Sequence, residues 1–272
     1  LMSAAKFDNP EALNLLGDIY FSGRYVPQNY QKAIEYYKRS AELGNSKANN
    51  SLGNIYFHGF GIVSDFSIAK NYFEIASKEN DSNSLFSLGL MHLKGFGCKP
   101  DYQKARDYLD LSAKQNNSEA LFYLGNVYEK GIGVKEDISK AIEYYELAAK
   151  QNNKKAINNL GVKYFTGQGV QQNYEKAREY FELIENEKEP NVMNFLGIIY
   201  QKGLGVDEDY AKALKYFETA VQQNDPEGYA NLGNLYFSGL GVKKDYLKAK
   251  DLYEVAAQHN NATAFFKLGF IY

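Results

Sequence analysis

Residues 117–152 read NSEALFYLGNVYEKGIGVKEDISKAIEYYELAAKQN, and this stretch decides the fold. Within it, Leu124-Gly125 is followed three residues later by Tyr128, and Gly131-Ile132-Gly133-Val134 precedes a second run with apolar residues at helical spacing. Read outward, the Leu-Gly pair recurs at Leu16-Gly17, Leu52-Gly53, Leu88-Gly89, Leu160-Gly161, Leu196-Gly197, Leu232-Gly233 and Leu268-Gly269, always 36 residues apart. A fixed period of this length, without insertion, is the signature of stacked supersecondary units.

The columns of the period predict two helices per unit. Asn9, Asn45, Asp81, Asn117, Asn153, Glu189, Asp225 and Asn261 fall where a first helix needs a cap. Short polar side chains there accept from the first free backbone N–H groups. Pro10, Pro190 and Pro226 follow at the first helical position, where a missing N–H costs nothing. Ala12, Leu13, Leu16, Gly17 and Tyr20 share one face at helical spacing. Gly23, Gly59, Gly95, Gly131, Gly167, Gly203 and Gly239 end the helix as left-handed caps, and a second glycine two residues on turns the chain, except at Tyr25. Asn29, Asp65, Asp101, Asp137, Asn173, Asp209 and Asp245 then cap a second helix. Its buried face is Tyr30, Ala33, Tyr37 and Ser40/Ala41, and it stops at Gly44, Asn80, Asn116, Asn152, Asn224 or Asn260, with Lys188 as the exception. No strand pattern occurs.

A glycine inside a helix costs roughly 1 kcal/mol relative to alanine. Its repetition from Gly17 to Gly269 is expected to be offset by close packing, with a large aromatic beside each small residue. A single hairpin cannot bury such faces alone, so the units stabilise one another by stacking.

Charge balance limits the function classes. Thirty-one Lys+Arg against 33 Asp+Glu leave a net charge of −2, without the basic excess a phosphate-binding groove requires, so no nucleic acid is expected as a partner. No run of apolar residues is long enough to span a bilayer. The start of the chain does not resemble a secretory signal. One cysteine, Cys98, excludes an internal disulfide framework and fits a reducing compartment, so the cytoplasm is the expected location. With three scattered histidines, His58, His92 and His259, no zinc set can be assembled. His92 substitutes in the tyrosine column and reads as half-buried packing, and Cys98 substitutes in the valine column of the turn as a small core residue. The Gly-x-Gly turns are flanked by helices and recur in nearly every unit, so they are structural rather than nucleotide-binding. Ser3-Ala4-Ala5-Lys6 and Ser67-Ile68-Ala69-Lys70 match a Ser-x-x-Lys pattern but lie in ordinary second-helix columns without companion motifs. No catalytic residue and no cofactor are assigned.

The pattern Ala120-x-x-x-Leu124-Gly125-x-x-Tyr128, Gly131-x-Gly133-Val134-x-x-Asp137, Lys140-Ala141, Tyr144-Tyr145, Ala148-Ala149 resembles the Sel-one-like repeat, a branch of the tetratricopeptide-like superfamily. The resemblance covers essentially the whole chain, and the Gly-x-Gly-Val turn separates it from the plain tetratricopeptide unit. It implies an all-α fold, a right-handed α-solenoid (α/α superhelix) of antiparallel helix-turn-helix repeats with the first helices on the concave face. It also implies adaptor work between proteins. A cysteine-rich branch of the family is linked to β-lactams through paired cysteines that this chain lacks. Seven complete repeats are expected at 9–44, 45–80, 81–116, 117–152, 153–188, 189–224 and 225–260, between the end of a truncated repeat at 1–8 and a further first helix at 261–272. This arrangement predicts a fragment of a longer protein.

In tetratricopeptide domains two columns flanking the glycine face line a peptide groove. The corresponding candidates here are Asn14, Asn50, Phe86, Phe122, Asn158 and Asn194 in one column and Asp18, Asn54, Leu90, Asn126 and Asn234 in the other. Asparagine both donates and accepts, so an asparagine ladder can hold an extended peptide backbone without selecting its sequence, between apolar pockets at Phe86, Leu90 and Phe122. A compositional bias toward asparagine, lysine and tyrosine is the competing reading. The expected function is therefore a scaffold that binds a protein or peptide, and the alternative is a regulatory array on a signalling enzyme such as a protein kinase. One unit departs from the pattern: Ile184 and Glu185 replace small residues, and Glu185, Glu187 and Glu189 crowd before Pro190, predicting looser stacking at 184–190.

Overall fold

The computed structural model describes residues 8–271. Among the described residues there are fifteen α-helices and no strand. First and second helices alternate: α1 Pro10–Ser22 and α2 Tyr30–Glu42, α3 Ser46–His58 and α4 Phe66–Lys78, α5 Ser82–Lys94 and α6 Tyr102–Ala113, α7 Ser118–Glu129 and α8 Ile138–Lys150. They continue with α9 Lys154–Thr166 and α10 Tyr174–Leu183, α11 Pro190–Lys202 and α12 Tyr210–Val221, α13 Pro226–Ser238 and α14 Tyr246–Gln258, and α15 Ala262–Ile271. The chain forms two compact units, Leu1–Gln151 and Asn152–Tyr272. The first holds the hairpins α1/α2 to α7/α8, and the second holds α9/α10 to α13/α14 with α15. Each is a stack of antiparallel helix pairs, the α-solenoid class. Ser3-Ala4-Ala5-Lys6 and most of the leading segment 1–8 lie outside the described residues.

Local hydrogen bonding explains where the helices start and stop. Asn117 Oδ1 accepts from the Ala120 N–H at 3.0 Å, and Asp137 Oδ1 accepts from Lys140 N–H at 2.9 Å. Each replaces a bond that the first turn cannot make for itself. Glu189 is the exception. Its longer side chain makes no capping bond, so the sequence expectation at that position is corrected. The second helices end on left-handed residues throughout, including Lys188 at φ 56°. Tyr25 does not adopt the positive φ of the glycines in its column. At 184–190 the final helical turn is lost: α10 stops at Leu183, and a 3₁₀ turn at Glu185–Glu187 follows, with Ile184 buried beneath it.

Packing explains the glycine inside each first helix. A Cβ on Gly125 would lie 2.4 Å from Cε1 of Tyr145 in the paired second helix, so only a bare backbone admits the ring. Phe73, Phe181, Phe217, Tyr37 and Tyr253 fill the same place elsewhere, and Leu109 does so beside Gly89. Gly133 makes the other close approach, since its Cβ would meet the Cβ of Tyr102, at the start of the preceding second helix, at 2.4 Å. The alanine column from Ala33 to Ala249 is fully buried, as small residues between close helices should be. Tyr30 and Ala41, expected on the buried face, are only half-buried.

In five repeats the tyrosine three residues after the glycine stacks on a tyrosine of the second helix, as in Tyr128–Tyr144 at 5.6 Å and 13°, whereas the residue opposite Tyr236 is Leu252. A lysine lies over the first-helix ring, with Lys140 Nζ 4.1 Å from the Tyr128 ring and Lys248 Nζ 4.0 Å from that of Tyr236. His92 takes the tyrosine place on Tyr108, with ring centroids 5.8 Å apart, and is buried rather than half-buried. Cys98, expected in the core, is half-buried, its Sγ 3.7 Å from His92 Nδ1. Lys70 of the second Ser-x-x-Lys match is bonded to Glu74, one turn along its own helix.

Candidate binding surface

Both candidate columns lie on first helices. In the first unit, α1, α3, α5 and α7 carry Asn14 and Asp18, Asn50 and Asn54, Phe86 and Leu90, and Phe122 and Asn126. In the second unit, α9 carries Asn158, α11 carries Asn194 and α13 carries Asn234. Members of a pair are four residues apart and share a helix face. Asn14 and Asn194 are buried, Asp18 is exposed, and the other eight are half-buried.

Three of the polar members receive a hydrogen bond from a buried tyrosine. Tyr37 donates to Asp18 Oδ1 at 2.7 Å and Tyr253 to Asn234 Oδ1 at 2.8 Å, while the Tyr145 hydroxyl is shared between Asn126 Oδ1 at 3.2 Å and the nearer Glu129 carboxylate. In each case the tyrosine is the ring that packs on the helical glycine. A buried hydroxyl without a partner is costly, so a tyrosine there demands an acceptor nineteen residues earlier. Where the ring is Leu109, Phe181 or Phe217, the earlier residue is Leu90, Val162 or Ile198. Asn54 alone breaks the rule, because its partner column holds Phe73, which has no hydroxyl. The correlation was visible in the sequence but requires knowing which two columns touch. Burial raises the Tyr37 phenol far above its usual range, and the Asp18 carboxylate adds to the shift. Tyr253 is pushed up to about 12 by burial.

Asparagines of the other column bond along the stack. Asn50 Oδ1 accepts from Ser84 Oγ at 3.0 Å, and Asn158 Oδ1 accepts from Asn191 Nδ2 at 3.2 Å. Asn194 donates to Asp225 Oδ2 at 2.7 Å and accepts from Asn231 Nδ2 at 3.2 Å. Each bond reaches the next first helix. Asn14 donates to Asp18 Oδ2 at 3.3 Å, within its own helix. Phe86 and Phe122 keep part of their rings exposed, though each touches Tyr123, at 5.5 Å between centroids in both cases. In the second unit Asn158 also lines a cavity of about 310 Å³ with Lys154, Lys155, Ile184, Glu187, Glu189 and Asn191, beside the 3₁₀ turn.

Among the described residues no three metal-ligating side chains cluster, and no helix is long and apolar enough to cross a membrane. What the columns offer chemically is hydrogen bonding and apolar contact.

Comparison with known proteins gives the setting. The family model described as the Sel1 repeat matches residues 10–45, 46–81, 82–117, 118–153, 154–184, 190–225 and 226–261. A protective antigen of uropathogenic Escherichia coli with the same repeat fold superposes with a TM-score of 0.89 at 30% identity, over 99% of this chain and 58% of the antigen. The chain therefore spans little more than half of that relative. A Sel1 repeat protein from Oxalobacter formigenes superposes at 0.71 with 27% identity, covering 99% of this chain and 78% of the other. An immunity protein from Pseudomonas aeruginosa shares the fold at 0.51 and 21% identity, over 78% of this chain and 81% of its own. No curated protein matches the sequence.

Proposed function

Because this chain belongs to the Sel1 repeat family, whose members are generally interaction scaffolds, we propose that it binds a protein partner through an extended segment laid across the first helices of its first unit. The supporting observation is the half-exposed set Phe86, Leu90 and Phe122, beside Asn54, whose amide no tyrosine engages. The amide donates to and accepts from a peptide backbone, while the three apolar side chains receive alternate side chains of the segment. The remaining asparagines already have partners, Asn14 within its own helix and the others on a neighbouring helix, so the groove is short and mostly apolar rather than a ladder along the whole chain. No catalytic group is required.

Selection of peptides from a random display library tests the proposal. Peptides enriched on the chain should lose at least about tenfold in affinity on Asn54→Ala with Leu90→Asp, a loss of about 1.4 kcal/mol. Enriched peptides that bind the variant as well as the parent would refute it.

A further inference from the structure

The second helices of the first unit carry a pattern that the groove does not use. On α4, α6 and α8, counting the C-cap Lys114 with α6, the positions i, i+4 and i+7 read Asn71-Ile75-Lys78, Asp107-Leu111-Lys114 and Glu143-Leu147-Lys150. All nine side chains are exposed. Ile75, Leu111 and Leu147 keep 48%, 44% and 46% of their surface in water, in a column whose repetition places them side by side on successive hairpins. Between α4 and α6 the surface dips into a groove bordered by Asn71, Ile75, Lys78 and Tyr108. The helices together present three parallel rows: polar to acidic, apolar, and basic. Arg39 ends the apolar row at α2.

Lysine at the end of a helix complements its dipole, whereas the polar row stands in the second turn, beyond the reach of the N-terminal end. The dipole does not account for an exposed leucine or isoleucine held between them three times. Among the described residues none of Lys78, Lys114 and Lys150 forms an ion pair, whereas the cations beyond the acidic row are engaged: Lys104 with Asp101 at 3.8 Å and Lys140 with the Tyr128 hydroxyl at 2.9 Å.

The rows are complementary to themselves in one orientation. If a second copy is placed face to face by a two-fold axis running along the rows, its acidic row lies over the first copy's lysines and its apolar row over the apolar row. A two-fold axis across the rows sets acid on acid and lysine on lysine. A symmetric pair uses one patch twice, which is the commonest form of closed assembly. We infer that the α4–α6–α8 face is the contact of a homodimer with its axis along the rows. The apolar row supplies the attraction, and the flanking charges select the orientation.

Sedimentation of the 272-residue chain over a micromolar concentration series tests this. A dimer that weakens with added salt is expected, and Leu111→Lys should weaken it at least about tenfold with an unchanged thermal melt. Lys78→Glu/Lys114→Glu/Lys150→Glu and Asn71→Lys/Asp107→Lys/Glu143→Lys should each be monomeric alone and pair one-to-one when mixed. A chain that stays monomeric, or a mixture that fails to pair, would overturn the inference. So would association that survives Leu111→Lys but is lost on Phe266→Ser, which would place the contact on α15, where Phe266 is 65% exposed. Peptide capture by the first helices is read on a different face, so either result can fail without the other.

Discussion

Tyr253 donates its hydroxyl proton to Oδ1 of Asn234 at 2.8 Å, and its ring lies where a Cβ on Gly233 would come within 2.7 Å. The same side chain therefore fills the gap above the glycine and requires a polar residue next to it in the chain.

That coupling predicts non-additive stabilities. Asn234→Leu leaves the buried hydroxyl without its acceptor and should cost about 1–3 kcal/mol. Tyr253→Phe alone leaves the Asn234 amide better placed to find water and should cost less. The double variant pairs phenylalanine with an aliphatic side chain, as Phe217 is paired with Ile198, and should recover most of the loss. Urea unfolding of the four proteins measures the coupling, and strictly additive values would contradict it.

Two glycines in one column should respond to alanine with opposite signs. Gly125→Ala drives a Cβ into the Tyr145 ring at 2.4 Å and should destabilise by about 1–3 kcal/mol despite the better helix propensity. Within the 272-residue chain Gly269→Ala meets nothing within 4 Å and should be neutral or stabilising by up to about 1 kcal/mol. Thermal melts of the two variants decide the matter.

Alkaline pH should weaken the fold through the buried phenols. The folded-state value for Tyr253 is about 12 against an ordinary 10.0, so the unfolded chain releases this proton first as pH rises. The contribution of Tyr253 is complete below pH 10.0 and is lost as pH climbs to about 12. Tyr37 and Tyr216 are shifted in the same direction, chiefly by burial. Stability measured against pH should fall across this window, and Tyr253→Phe should make the fall shallower.

The missing cap at Glu189 should be repairable. Glu189→Asp restores the side-chain length that caps α13 through Asp225, which accepts from Gly228 N–H at 2.8 Å. The expected gain is about 1 kcal/mol. Amide exchange at 184–190 should be faster than at 112–118 in the parent chain and slower after the substitution.

The repeat was legible because its cues are local. A cap such as Asn117 bonds three residues ahead, and a turn glycine such as Gly133 takes a positive φ that other residues avoid, so both appear in one linear pass. The interlock of Gly125 with a ring was also foreseeable, since a costly residue recurred in phase. The role of the asparagines was not. Asn14 through Asn234 form one column pair in sequence, yet Asn126 and Asn234 serve buried hydroxyls, whereas Asn158 and Asn194 bond to the next first helix. Composition alone does not distinguish these uses from a free amide such as that of Asn54.

The sequence by itself determined the helices, their ends and their period, because those depend on hydrogen bonds and backbone preferences within a few residues. Only the tertiary structure decided which polar side chains are already occupied and which apolar ones remain in water. Those outcomes depend on how closely separate helices approach: Tyr37 reaches Asp18 across a hairpin, while Leu111 meets no covering helix.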